Sequence, residues 1–168
     1  MAVMEPDVRA DVTSLGTVAF TLEDVSSVLN RTMSVNGFRA LDPVNHRLII
    51  GVLAEVEQAL SARLDTVVHV SDATVSPGSL KVENGQVVIT SPRLAMIVCA
   101  MTVIMHYNDL RENVIQIYKD IDAVVHSIPF AENVSGIRFK PADPDHVIAD
   151  LEPFLPQRVR ELVRKRRG

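Results

Sequence analysis

The sequence has no tryptophan, one cysteine and only 4% aromatic residues in 168 positions, and each shortage excludes a class of site. A lone Cys99 forms no internal disulfide and supports no thiolate-cluster metal site. Few aromatic rings disfavour a sheet that stacks nucleic-acid bases. Because 47% of the residues are nevertheless apolar, we expect an aliphatic core.

Recognisable catalytic and cofactor motifs are also missing. The seven glycines form neither a dinucleotide fingerprint nor a P-loop, and the five histidines do not form a HExxH motif. His106 with Asp109, and Asp122 with His126, are helical neighbours that surface ion pairing explains better than general-base chemistry. The sequence therefore predicts no catalytic residue, no cofactor and no metal ligand, and we expect a protein that is not an enzyme.

The longest apolar run, Leu94–Met105, is interrupted only by Thr102 and is shorter than the roughly 20 residues of a membrane span. The N-terminal residues are acidic where a signal peptide would be basic. We therefore expect no membrane span and a cytoplasmic location. The length predicts a single domain.

Local patterns predict an α+β fold, with a small antiparallel sheet packed against two helices. Asp42-Pro43, followed by an apolar stripe at helical spacing, predicts helix 43–64. Asn84-Gly85 between two alternating segments predicts a β-hairpin over residues 79–90. Residues 1–16 show no periodicity and are interpreted as an N-terminal arm, which leaves 17–156 as the α+β domain and 157–168 as a basic C-terminal helix or tail.

Ser91-Pro92 predicts the start of a long helix, 92–128. An apolar stripe runs unbroken from Met96 to Ile128 with spacings that alternate between four and three. Asp109 and Glu112 could instead begin a new helix after a break near His106–Asn108. Because the stripe stays in phase across that point, the sequence favours continuity, with a bend as an alternative.

A continuous helix of this length would span about 55 Å, which exceeds the roughly 40 Å diameter of a domain of this size. Its first half is apolar on all sides, as expected for an enclosed helix, whereas its second half is amphipathic. The second half packs either on helix 43–64 or on a partner chain. The partner-helix interface predicted from the stripe consists of Leu110, Val114, Ile117, Ile121, Val124 and Ile128.

Charge is distributed unevenly between the C-terminus and the rest. Residues 157–168 contain six of the 17 basic residues and one acid, a net charge of +5, against −9 for the remainder. Such a split is typical of a tail that contacts nucleic acid or an acidic partner, although the tail could instead dock on its own acidic body. The candidate contacts are Arg158, Arg160, Arg164, Lys165, Arg166 and Arg167.

These features together predict a non-enzymatic structural or assembly subunit of a larger complex, either a homo-oligomer or one component among several. Viral or phage particles and bacterial multiprotein machines are suitable settings. The alternative is a small-ligand-binding or regulatory domain with a pocket between helix and sheet.

Overall fold

An antiparallel sheet and a layer of helices form the part of the chain that the computed structural model describes, residues 11–23, 43–76, 80–130 and 133–168. The strands are β1 (Val12–Leu22), β2 (His69–Ser71), β3 (Thr74–Ser76), β4 (Lys81–Thr90) and β5 (Val134–Pro141). The helices are α1 (Pro43–Leu64), α2 (Ser91–Met101), α3 (Tyr107–Ser127), α4 (Pro144–Leu151) and α5 (Gln157–Arg167), with a 3₁₀ turn at Glu152–Phe154. The predicted α+β class, the small antiparallel sheet and helix 43–64 are confirmed. The capping residue proposed for α1, Asp42, lies outside the described residues.

Strand β1 is the centre of the sheet, because β4 pairs with one of its edges and β5 with the other. It begins at Val12, so the prediction that residues up to 16 form an arm is wrong for residues 12–16; residues 1–10 lie outside the described part. A bulge at Gly16 separates the buried residues Leu15 and Val18 by three positions instead of two. This interrupts the two-residue alternation by which a strand is recognised in a sequence. Gly16 has φ +145°, and a Cβ there would overlap the carbonyl of Lys140.

Strand β4 runs straight through Asn84-Gly85, which is where the sequence predicted a hairpin turn. Asn84 does adopt the positive φ (58°) that the turn motif favours, but it forms a bulge inside one strand. Gly85 is packed so closely that a Cβ would lie 2.9 Å from a methyl of Val70 and 3.1 Å from one of Val18. The hairpin prediction is therefore corrected: neighbouring segments pair as β3 with β4, and residues 81–90 form a single strand between β1 and the β2–β3 edge.

All the helices contribute to the core on one face of the sheet. Leu15 and Val18 of β1 share a buried cluster with Leu60 of α1, Leu94 of α2 and Ile117 of α3. A second cluster, around Phe20, Leu22, Ile49, Val52 and Val82, continues this layer along α1. The outward positions of β1 and β4 include several polar side chains, and Ser14 donates to the Gln86 side chain across that face (2.6 Å).

The predicted helix 92–128 is not continuous. Ser91 does open a helix, and its hydroxyl bonds to that of Thr13 (2.7 Å), but α2 ends at Met101 and α3 begins at Tyr107. The side chain of Asn113 joins the two helices, because it donates to the carbonyl of Val98 (2.9 Å) and accepts from the hydroxyl of Thr102 (3.0 Å). Asn113 is buried, so its amide replaces hydrogen bonds that α2 loses by ending there.

Asp109 stabilises the start of α3. Its carboxylate accepts hydrogen bonds from the backbone N–H groups of Met105 and His106, both at 2.9 Å. These bonds to the charged form lower the pKa of Asp109 below its usual value. The break that Asp109 and Glu112 suggested as an alternative is therefore what the structure contains, and α3 alone is about 30 Å long.

We predict that Asn113→Ala lowers the free energy of unfolding by about 1–3 kcal/mol, because it leaves the buried carbonyl of Val98 without its partner. Urea denaturation measures this change. The matched control is Asn108→Ala, which removes an exposed amide from the same helix and should cost less than about 0.5 kcal/mol. Equal effects of the two substitutions would contradict the structural role of Asn113.

The Asp109 cap makes stability depend on pH in a predictable direction. Because the pKa of Asp109 is lower in the folded chain, its contribution is complete above the unfolded pKa, near 4, and disappears as pH falls through the folded value. The melting temperatures of wild type and Asp109→Ala should therefore differ above about pH 5 and converge in acid. Asp109→Asn keeps a hydrogen-bond acceptor that does not titrate, so its melting temperature should differ from that of Asp109→Ala by the same amount at every pH. If the melting temperatures of wild type and Asp109→Ala also differ by a constant amount, the assignment of the cap to the Asp109 carboxylate is refuted.

Candidate functional site

The predicted partner face of α3 lies inside the chain's own core. Leu110, Val114, Ile117 and Ile121 are at most 1% exposed, and Val124 and Ile128 are partly buried against the same cluster. Their neighbours in that cluster include Val56 and Leu60 of α1. The interpretation of this stripe as a partner interface is therefore corrected, since α3 packs on α1 within one chain.

Exposed apolar side chains lie instead on α2 and on the segment that joins it to α3. Met96 is 63% exposed, Val103 76% and Met105 55%, and Ala100 is also exposed. The opposite side of α2, through Leu94, Ala95 and Val98, is completely buried. We call Met96, Ala100, Val103 and Met105 the α2 surface. Its large side chains account for three of the six large hydrophobic residues that are prominently exposed in the described ranges.

Helix α5 is docked on the body of the protein. Val159 and Val163 are buried in the main core cluster. Arg164 and Arg167 both pair with Glu152, at 3.1 and 2.7 Å. Arg160 donates to the carbonyls of Pro153 and Leu155, both at 3.1 Å. The basic C-terminus is therefore an integral helix rather than a free tail, as the docking alternative suggested.

Two further arginines of α5 lie beside the α2 surface. Arg158 places its guanidinium 3.3 Å from the sulfur of Met105. Arg166 lies 4.5 Å from the ring centroid of Tyr107, the first residue of α3. The apolar α2 surface thus has a basic border where it meets α5. Lys165, the sixth predicted contact, is exposed.

The Tyr107 ring is held in place from the other side. Its hydroxyl donates to Asp145 (2.6 Å), and Arg111 lies 3.6 Å from the same carboxylate oxygen. Burial and this hydrogen bond raise the pKa of Tyr107 to about 12, so the ring that faces Arg166 is neutral at physiological pH. Two carboxylates also lie beside this border: Asp145 is shared by Tyr107 and Arg111, and Asp109 accepts from the backbone N–H of Met105.

The histidine pairs lie on helix surfaces. Asp109 serves as a backbone cap beside His106, and Asp122 lies 3.4 Å from exposed His126. Burial raises the pKa of the Cys99 thiol.

Within the described ranges, no three His, Cys, Asp or Glu side chains are grouped to hold a metal. None of the helices in these ranges combines the length and the apolar character that a membrane span requires.

A shallow depression lies on the outer face of the sheet, away from the helices, and Lys81, Glu83 and Arg138 line it together with Gly136. Its volume is about 60 Å³. Ligand pockets usually measure about 300–1,000 Å³, so this depression is small for an organic ligand. Arg138 and Glu83 also lie 3.8 Å apart, which offsets much of the charge.

Comparison with protein-family models, curated proteins and solved structures gives no match for this chain.

The exposure of α2 was hidden by the apolar stripe in the sequence. Met96, Ala100 and Val103 continue the spacing of the buried residues of α3, although the two helices have independent orientations. The sequence feature that indicates two helices instead of one is Asp109, an acid three residues after His106 at the start of an amphipathic segment. Met105 lies off the stripe and has no distinctive sequence signal.

We predict that α5 contributes to the stability of the domain. Val163→Ala removes a fully buried side chain and should lower the free energy of unfolding by about 2 kcal/mol, measured by urea denaturation. Leu162→Ala, which changes a partly exposed neighbour on the same helix, should cost less. If Val163→Ala leaves stability unchanged, α5 is not docked in solution.

Proposed function

We propose that this protein is a non-enzymatic assembly subunit that docks on another chain through the α2 surface. The observation that supports the proposal is a contrast in burial along residues 94–105. Leu94 and Val98 of α2 are completely buried, whereas Met96 of α2 and Val103, just beyond the end of that helix, are mostly exposed. Several large apolar side chains exposed within ten residues of chain are typical of an interaction site. Methionine suits such a site because its flexible, polarizable side chain adapts to a partner.

The proposal retains the assembly function expected from the sequence and moves the contact from α3 to α2. A cytoplasmic location and a setting in a multi-subunit particle or machine belong to the same proposal. The basic residues of α5 supply a second contact next to the first, because Arg158 touches Met105. A small-ligand or regulatory domain has less support, since apolar side chains of the described helices and strands pack together between helix and sheet, and the depression near Arg138 is small.

Site-specific photo-crosslinking tests this function. A photoreactive residue in place of Val103, in the full chain and in the cells that naturally produce it, should give a discrete adduct that mass spectrometry can identify. The matched control is the same residue in place of Ile50, which is 51% exposed on α1 and lies outside the α2 surface. The adduct at position 103 should disappear when Met96→Glu is added, because a buried unpaired carboxylate opposes docking.

Absence of a discrete adduct at position 103, identical adducts at positions 50 and 103, or an adduct that survives Met96→Glu would each refute docking through the α2 surface. Because Met96 is mostly exposed, Met96→Glu should leave the melting temperature nearly unchanged. Thermal denaturation of the purified variants checks that the loss of an adduct does not reflect unfolding.

A further inference from the structure

We infer that the occupant of the α2 surface is an acidic amphipathic segment of a different protein. This inference rests on the proposed function and specifies the chemistry of the partner. It is argued from the charges that surround Met96, Val103 and Met105.

The α5 end of the α2 surface is positively charged. Arg158 contacts the sulfur of Met105, and Arg166 lies on the ring of Tyr107 two residues further along the chain. These contacts are to a sulfur and an aromatic ring rather than to a carboxylate, in contrast to Arg164 and Arg167, which share Glu152. A partner with acidic side chains beside its apolar residues would pair with this border.

The opposite end of α2 also carries a cation. Arg93, in the first turn, donates to the backbone carbonyl of Asp65 (3.3 Å). Positive charges at both ends of an apolar surface favour a partner segment with acids at both of its own ends. A helix of about 15 residues, roughly 22 Å long, would cover such a surface.

The same charges argue against a second copy as the occupant. If two α2 helices packed antiparallel about a two-fold axis, Arg93 of one copy would approach Arg158 of the other. If they packed parallel, each arginine would approach its own counterpart. Both arrangements bring like charges together at the ends of the contact, which is unfavourable.

Nucleic acid is also a poorer fit than an acidic protein segment. It would use the arginines, but the most exposed side chains, Met96 and Val103, would face a phosphate backbone that offers them no apolar contact. An amphipathic helix matches the apolar and the basic parts together.

The experiment uses two synthetic 18-residue amphipathic helices with the same leucine face, one with glutamates flanking that face and one with lysines. Fluorescence anisotropy measures their binding to the full chain at about 50 mM salt, where electrostatic contributions are large. We expect the glutamate helix to bind at least about tenfold more tightly than the lysine helix. Val103→Glu should weaken glutamate-helix binding by about tenfold or more.

Charge reversal separates the basic border from general electrostatic attraction. Arg158→Glu should remove most of the preference for the glutamate helix. The matched control, Lys119→Glu, reverses the charge of an exposed side chain on α3 and should leave the preference intact. Retention of the preference in Arg158→Glu, or its equal loss in both variants, would overturn the role of the border.

Several outcomes would overturn the acidic-partner inference but leave docking through α2 intact. These are equal binding of the lysine helix, a Val103-dependent dimer in light scattering, or a position-103 adduct with a partner that lacks acidic flanks. Tighter binding of a 20-nucleotide single strand than of the glutamate helix, unaffected by Val103→Glu, would instead favour a nucleic-acid partner. Glutamate-helix binding that ignores Val103→Glu would refute both this inference and docking through the α2 surface.

Discussion

The buried amide of Asn113 joins the end of α2 to α3, and the direction in which α3 leaves α2 depends on this connection. It binds the carbonyl of Val98 and the hydroxyl of Thr102, while Asp109 caps the first turn of α3. A buried amide has few geometries in which both its donor and its acceptor are satisfied, so it fixes the corner in one arrangement. The corner lets α3 place Leu110, Ile117 and Ile121 against α1 rather than beyond the domain.

The corner also determines which apolar residues remain outside. Once α2 and α3 separate, each turns its own most apolar side toward the sheet, and Met96, Val103 and Met105 are left at the surface. The segment 94–105, which was expected to be enclosed on all sides, is therefore exposed on one side, and the apolar face of α3, which was expected to contact a partner, is buried within the chain. The proposed assembly through α2 depends on this distribution of exposed side chains.

Helix α5 connects the charge distribution to the same region. Its valines fill the core, and Glu152 holds two of its arginines, so its direction is fixed by burial and ion pairing together. Fixing that direction places Arg158 against Met105 and Arg166 on Tyr107. A basic sequence that could have been a mobile polyanion-binding tail becomes one side of a surface that combines apolar and positive character.

Sequence patterns alone predicted the α+β class, helix 43–64, the helix start at Ser91 and the C-terminal helix, because capping residues, prolines and 3.6-residue periodicity act locally. Only the tertiary structure decided the rest. The bulges at Gly16 and Asn84 interrupt the two-residue period, which concealed β1 and made β4 resemble a hairpin. The apolar stripe could not reveal the break before Tyr107, because a stripe records spacing along a chain and not the direction in which each helix packs. The exposed face of each helix follows from its contacts with distant strands and helices, and the break between α2 and α3 is held by Asn113, whose partners the local pattern does not identify.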